Sequence, residues 1–170
     1  MATNLEFIKQ VTGDTVANFD LTNIFSDKYN VYRIQLFDEE VGNDDYNYFR
    51  VIRSAGTDTG SNYCYATLLM YGHTTFAQVK STSTTTANYL GYLYPASYDD
   101  GIGVTLDVYN PFDSSSYTFF NASTSGFANG VGVYTSKGIM AHKATEQVTG
   151  ISIQRTGNFN KITANIYGVK

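Results

Sequence analysis

Hydrophobic and polar residues alternate along much of this chain, which is the pattern of half-buried β-strands. The clearest run covers residues 102–109, where four aliphatic residues alternate with smaller or more polar ones. Residues 29–37 and 46–53 show the same alternation, and we expect these two strands to pair as a hairpin. Weaker runs predict further strands at residues 5–9, 63–71, 89–94, 117–121, 131–134, 148–154 and 162–167.

The spacing of these runs predicts the fold class. Stretches rich in Gly and Asp, such as residues 54–60 and 98–101, supply turns between the strands, and no segment has a convincing helical pattern. Many short strands with one solvated face favour antiparallel sheets. We therefore predict an all-β protein, an antiparallel two-sheet β-sandwich of jelly-roll type. Residues 1–18 would form an N-terminal arm or a first strand, and residues 19–170 a single β-sandwich domain.

Composition and charge narrow the classes of partner. The chain has 170 residues, a net charge of −4 and a pI near 5.0, without the clustered cations that a nucleic-acid backbone requires. No apolar run approaches the roughly 20 residues of a membrane span. We therefore expect neither a nucleic-acid partner nor a membrane partner. Fifteen tyrosines combined with only 15% charged residues are typical of a protein that assembles with other proteins.

Residues that could carry chemistry are few. A nucleophilic Cys64 would need His73 or His142 as its base, and packing of the thiol in a strand is the favoured interpretation. The two histidines have no partner at zinc-ligand spacing. Residues 38–45 carry five carboxylates, which suits either a calcium site or a solvated hairpin tip, and we favour the tip. The sequence thus predicts no catalytic residue, no metal, no cofactor and no enzyme activity.

Tyrosines form the most distinctive candidate surface. Tyr63, Tyr65 and Tyr71 share one face of a predicted strand, and Tyr89 and Tyr92 follow in the next. Exposed aromatic rings stack on sugars or fill protein interfaces. The alternative is that these rings cover the core and direct their hydroxyl groups to its rim.

Three stretches of the chain have a spacing found in a known class of proteins. They contain Phe19, Ile24, Phe25, Tyr29, Tyr32 and Ile34; then Val148-Thr149-Gly150-Ile151-Ser152-Ile153 with Gly157-Asn158-Phe159; and finally Ile166-Tyr167-Gly168-Val169-Lys170. From about Phe19 to the C-terminus the chain resembles small β-sandwich structural proteins of tailed bacteriophage particles, such as capsid decoration (cement) proteins and tail-fibre-type modules. No catalytic residue is transferred from this resemblance.

The resemblance implies a component of the virion, assembled in the host cytoplasm. The short N-terminal segment has neither a heptad pattern nor a repeated shaft element, which favours a capsid decoration subunit that binds the outer capsid surface and stabilises the particle. A tail-fibre-type receptor- or glycan-binding module is the alternative. The expected partners are other virion proteins, above all the major capsid protein, and further copies of this chain, with a homotrimer suited to local threefold axes.

The N-terminal arm has a predicted role in this assembly. Leu5, Phe7 and Ile8 would let the arm add a strand to the exposed sheet edge of a neighbouring protein. The equally weighted alternative is that these residues belong to the first strand of the chain's own sandwich.

Overall fold

The computed structural model describes residues 4–41, 45–72, 76–93, 102–128 and 132–170. These residues contain eleven β-strands and no α-helix, which confirms the all-β prediction. The described part of the chain contains no helix long and apolar enough to cross a membrane. The strands are β1 (Leu5–Leu21), β2 (Val31–Val41), β3 (Asp45–Arg53), β4 (Gly56–Thr57), β5 (Tyr63–Tyr71), β6 (Ala77–Thr84), β7 (Ala87–Leu93), β8 (Ile102–Tyr109), β9 (Thr118–Ala128), β10 (Gly132–His142) and β11 (Val148–Val169).

Eight strands form a broad antiparallel sheet, which we call the outer sheet. Its order is β6-β5-β10-β9-β8-β2-β11-β1, so β6 and β1 are its two edges. One face of this sheet points into the core. On β8 this inward face carries Ile102, Val104, Leu106 and Val108, all of which are buried. Each such side chain contributes roughly 1.5–3 kcal/mol when it is removed from water.

A second, smaller layer covers the inward face of the outer sheet. The first part of β11 pairs with β3, and β3 also pairs with β4 and β7. The two layers meet at Phe49 of β3 and Phe120 of β9, whose ring centroids lie 4.7 Å apart. The largest fully buried side chains are Tyr32, Tyr63, Phe49, Phe120, Phe159, Leu21, Ile34, Ile102, Leu106, Met140 and Ile151.

Two long strands connect the layers. β1 has 17 residues and β11 has 22, and they pair with each other along most of their length. Their pairing shifts register between Val16 and Asn18, and the pairing of β11 with β2 shifts between Phe159 and Lys161. Such irregularities bend strands. Because both strands pass from one layer to the other, the described strands form one continuous curled sheet, and the predicted division into two sheets is not confirmed.

Close packing of β11 against β1 requires a glycine. A Cβ atom on Gly150 would lie 2.1 Å from the backbone oxygen of Leu21, well inside van der Waals contact. The backbone nitrogens of Ile24 and Phe25, in the segment after β1, donate to the carbonyl of Thr149. The sequence motif around Gly150 therefore serves strand packing.

Several predicted strands agree closely with the structure. The predicted runs at 102–109 and 63–71 coincide with β8 and β5, whereas the runs at 148–154 and 162–167 are parts of the single strand β11. The predicted hairpin between residues 29–37 and 46–53 is wrong. β11 lies between β2 and β3 and pairs with both, because its length lets its two halves serve different layers.

The N-terminal segment is a strand of the sheet. β1 begins at Leu5 and continues past residue 18 to Leu21, and it pairs with β11 of the same chain. Residues 5–18 therefore lie in the first strand of the chain's own sheet, which was the alternative to a free arm. Residues 81–84, which are all serine or threonine, form the end of edge strand β6.

Candidate functional site

A cluster of ionisable side chains lies where β3, β4, β5 and β10 end or begin. It consists of Arg53, Asp58, His142 and Glu146, and we call it the Asp58 cluster. Arg53 ends β3 and His142 ends β10. Asp58 directly follows the short strand β4, where its backbone nitrogen donates to the carbonyl of Val51 at 2.9 Å.

The Asp58 carboxylate is buried and has three hydrogen-bond partners. The Gly60 backbone nitrogen donates to Oδ1 at 2.9 Å, and Asn62 Nδ2 donates to Oδ2 at 2.9 Å. His142 Nε2 lies 2.7 Å from the same Oδ2. Burial by itself raises the pKa of Asp58, but the hydrogen bonds from Asn62, His142 and Gly60 and the charge of Arg53 lower this pKa to about 2.

The remaining members complete a network of charges. Arg53 donates through Nη1 to both carboxylate oxygens of Glu146, each at 3.0 Å, which raises the pKa of the guanidinium. Arg53 Nη2 also lies 3.4 Å from Asp58 Oδ1. The His142 ring packs against Tyr63 at 5.2 Å. The Tyr63 hydroxyl donates to the Asp58 carbonyl at 2.9 Å, and burial raises the pKa of this phenol.

The geometry of the Asp58 cluster fits hydrogen bonding within the protein. Asp58, His142 and Glu146 place ligand-type atoms within 4.8 Å of one another. Two ligands of one tetrahedral zinc ion, at bond lengths of about 2.0–2.1 Å, would lie about 3.3 Å apart. The distance of 2.7 Å between His142 and Asp58 is that of a direct hydrogen bond. His142 is fully buried, so its side chain is not accessible to a substrate. The cluster therefore links distant segments of the chain through hydrogen bonds and ion pairs.

Sequence reasoning did not find this cluster. Asp58 and His142 are separated by 84 positions, and neither belongs to a ligand or catalytic motif. A local signal was present, because Asp58 with Gly60 two residues later is typical of an Asx turn. That signal locates the turn but not the histidine that faces it.

The outward face of the outer sheet carries a continuous apolar row. The pairing registers place seven residues side by side on seven neighbouring strands, and all of them are apolar or aromatic. At about 4.8 Å between strands, six intervals span about 29 Å. Tyr109, Phe119 and Leu5 are 37–40% exposed. The members of this apolar row are Leu5, Val169, Val31, Tyr109, Phe119, Ala141 and Cys64.

Adjacent rows on this face become more polar. The next row holds the exposed side chains of Phe7 and Ile139 and, between them, an ion pair in which Arg33 Nε donates to Asp107 Oδ1 at 2.7 Å; beyond Ile139 it continues to Ala66 and Lys80. The row after that consists largely of uncharged polar residues. Its members are Gln10, Asn165, Gln35, Thr105, Ser123, Lys137 and Leu68.

The tyrosines of β5 that were predicted to form an exposed surface lie in or against the core. Tyr63 is fully buried, and its hydroxyl accepts a hydrogen bond from the Val51 nitrogen at 3.0 Å, so it is not available for stacking on a sugar. Tyr65 and Tyr71 are half-buried and pack against the core. These three residues lie on the inward face of β5, because that face meets the second layer. The side chains of Tyr89 and Tyr92 lie outside the described residues.

Cys64 and His142 lie on opposite faces of the outer sheet. Cys64 pairs with Ala141 on the outward face, while His142 pairs with Tyr63 on the inward face. The structure therefore does not bring this histidine to the thiol. His73 and the side chains of residues 38–45 lie outside the described residues.

The predicted arm residues divide between two environments. Leu5 and Phe7 are exposed on the outward face, at 37% and 57%. Ile8 is partly buried and packs against the core. Glu6 forms ion pairs with Lys28 and Lys170, which lower its pKa to about 2. The start of β1 is therefore attached to its own sheet.

Comparison with known proteins gives only distant similarities. No protein-family model matches the sequence, and the search of curated proteins finds no match. One similar structure is the marine PL-14 alginate lyase from Aplysia kurodai, at 6% identity and a TM-score of 0.36, covering 95% of this chain and 81% of that one. Another is the CBM2 module of the evolved Dit of Lactobacillus casei BL23 phage J-1, at 7% identity and a TM-score of 0.27, covering 92% and 74%.

The first of these structures corrects one prediction. The sequence predicted a protein without enzyme activity, and this is contradicted because a lyase is among the similar structures. A TM-score of this size assigns no activity to this chain. The second structure is a module of a phage protein. The comparisons give nothing more specific on the resemblance to phage structural proteins.

Proposed function

We propose that this protein is a subunit of a larger assembly and that it binds its neighbour through the outward face of the outer sheet. The single observation that carries the proposal is the apolar row, from Leu5 to Cys64, on a face that the described residues leave open. Exposed apolar residues that form one contiguous surface, unlike apolar residues scattered singly, mark interaction sites.

The area of the face approaches that of one side of a specific interface. Seven strands span about 29 Å, and four rows along the strands, the fourth of which contains Phe37 and Thr135, span about 20 Å, which gives a surface on the order of 600 Å². A standard protein interface buries about 800 Å² on each partner. The apolar row lies at one end of the strands, and the rows beyond it become polar, first with the Arg33–Asp107 ion pair and then with uncharged residues, as in an apolar interface patch with a polar rim.

The sequence resemblance supplies the setting for this proposal. In a tailed-phage particle the chain would act as a capsid decoration subunit whose partner is the major capsid protein. Binding to the assembled shell but not to its dissociated subunits would stabilise the particle by mass action. Association of several copies, including a trimer, is compatible with the same face or with the two sheet edges.

The experiment is cosedimentation of the purified protein with expanded empty capsids, combined with calorimetry of the capsids. We expect saturable binding and a higher melting temperature of the shell. Phe119→Asp places a charge in the centre of the apolar row and should abolish binding, because an unpaired charge in an interface is costly. Phe76→Asp is the matched control, since Phe76 is 68% exposed and lies outside the row.

The outcome that contradicts the proposal is an unchanged melting temperature at saturating protein. Equal binding by both variants would show that the apolar row is not the contact. Sedimentation of the free protein separates self-association from capsid binding. A Phe119-dependent oligomer with no capsid binding would assign the face to copies of this chain.

A second candidate function is supported by three exposed aromatic residues. Tyr109 and Phe119 are cross-strand neighbours, and Tyr117 precedes β9 at 44% exposure. Rings arranged in this way can stack on sugars, as a tail-fibre-type glycan-binding module requires. Tyr109→Ala with Tyr117→Ala should then abolish binding on a glycan array, while Tyr65→Ala should not. No binding by the unaltered protein to any array glycan would exclude this candidate.

A further inference from the structure

Two lysines on the outward face are the only described cations without a partner. The chain has eleven lysines and arginines, and nine of them form a hydrogen bond, an ion pair or another polar contact among the described residues. Lys80 and Lys137 form none within the described part of the chain. Both line the same groove on the sheet surface.

The groove lies between these lysines and has an aliphatic floor. Its volume is about 400 Å³, and Ala66, Leu68 and Ile139 form its floor. Lys80 pairs with Ala66 from β6, and Lys137 pairs with Leu68 from β10. The two lysines are thus two strands and two residues apart, and their Cα atoms are separated by about 12 Å.

The strands that form the groove carry no opposing charge. The sequences of β5, β6, β9 and β10 include no Asp or Glu, and Asp107, which pairs with Asn121 at the side of the groove, is bonded to Arg33. These four strands therefore carry the positive charges of Lys80 and Lys137, although the whole chain carries a net charge of −4. Such a local reversal of sign selects anionic partners and orients them on approach.

We propose that this groove binds an extended acidic segment of the partner protein, whose face toward the sheet carries carboxylates alternating with apolar side chains. This inference rests on the proposed assembly function and names the chemistry of the contact. The carboxylates would pair with Lys80 and Lys137, and the apolar side chains would cover Leu68 and Ile139.

The lining of the groove favours a protein segment over an acidic polysaccharide. Sugar rings bind on aromatic platforms, and the groove floor has none. Aliphatic side chains instead match apolar side chains of a peptide. In an extended segment every second side chain points to the same face, so carboxylates four positions apart lie about 13 Å apart, close to the spacing of Lys80 and Lys137.

The first test measures binding to the full chain of a fluorescent eight-residue peptide with the repeat Asp-Asp-Val-Val, in which aspartate and valine alternate on each face of an extended chain. The same repeat with asparagine in place of aspartate, and an oligouronate of equal charge, are the matched probes. We expect the acidic peptide to bind, to weaken as salt is added, and to cause NMR shifts confined to β5, β6 and β10. Replacing Lys80 and Lys137 by Gln should weaken binding about tenfold, since each exposed pair is worth up to about 1 kcal/mol.

Lys170→Gln is the control variant, because Lys170 is an exposed lysine at the opposite edge of the sheet. The inference is overturned if the acidic peptide does not bind, if the Lys80 and Lys137 variant binds it equally well, or if only the oligouronate binds. The same variant separates this inference from the proposed function. Capsid binding that Phe119→Asp abolishes but the two lysine substitutions leave unchanged would support the assembly role and refute the acidic segment.

Discussion

The Asp58 cluster predicts that stability depends on one buried carboxylate. Asp58→Asn keeps the shape of the side chain and removes its charge, so the contacts to His142 and Arg53 are no longer charge-assisted. The pKa of Asp58 is lowered from 3.8 to about 2, and each pKa unit corresponds to about 1.4 kcal/mol. We therefore expect the free energy of unfolding at pH 7 to fall by about 2 kcal/mol.

The sign of the pH dependence follows from the lowered pKa. The unfolded chain takes up the proton of Asp58 at a higher pH than the folded chain, so this stabilisation is complete well above pH 3.8 and decreases as the pH falls toward 2. The assay is urea unfolding of the unaltered protein and the variant between pH 7 and pH 2. Their difference should shrink from about 2 kcal/mol toward zero over the acidic part of this range.

Two controls isolate the effect of Asp58. Glu6 also has a pKa of about 2, but it is present in both proteins and cancels in their difference. Asp113→Asn removes an exposed carboxylate whose pKa is lowered by Ser115, and its effect should be smaller because water screens the charge. A difference between the proteins that stays constant from pH 7 to pH 2 would refute the assignment of this charge to the cluster.

Three further substitutions test packing. Tyr63→Phe should destabilise the fold by about 1–3 kcal/mol, since the buried nitrogen of Val51 loses its acceptor, and differential scanning calorimetry measures this loss. Phe120→Ala should cost about 3–5 kcal/mol in urea unfolding, because it removes the contact between the two layers; a loss below about 1 kcal/mol would show that the layers do not depend on it. Gly150→Ala should cost about 3 kcal/mol or prevent folding, because its Cβ atom would clash with the Leu21 carbonyl, whereas unchanged stability would contradict the described packing.

Local alternation was sufficient to predict most strands. Residues 102–109 and 63–71 were predicted with the observed limits, because side chains on these strands alternate between the core and the outward face. Strand β6 was not predicted, since an edge strand buries little and its residues are mostly polar. The pairing of β2 and β3 was predicted wrongly, because neighbours in sequence need not be neighbours in a sheet when a long strand such as β11 intervenes.

The predicted tyrosine surface shows a second limit of prediction from the sequence. Alternation correctly placed Tyr63, Tyr65 and Tyr71 on one face, but a strand with two mixed faces does not reveal which face is covered. The second layer covers the side that carries the tyrosines. The opposite side, with Leu68 and Cys64, faces outward.

The sequence by itself therefore determined an all-β chain of antiparallel strands, with few charges and many aromatic residues, because secondary structure and composition depend on short-range patterns. Only the tertiary structure decided which face the described residues leave open, which residues form the apolar row and which two lysines have no partner in the described part of the chain. These properties depend on register between strands that are far apart in sequence. Asp58 and His142 show the same principle, since 84 positions separate two side chains that share one hydrogen bond.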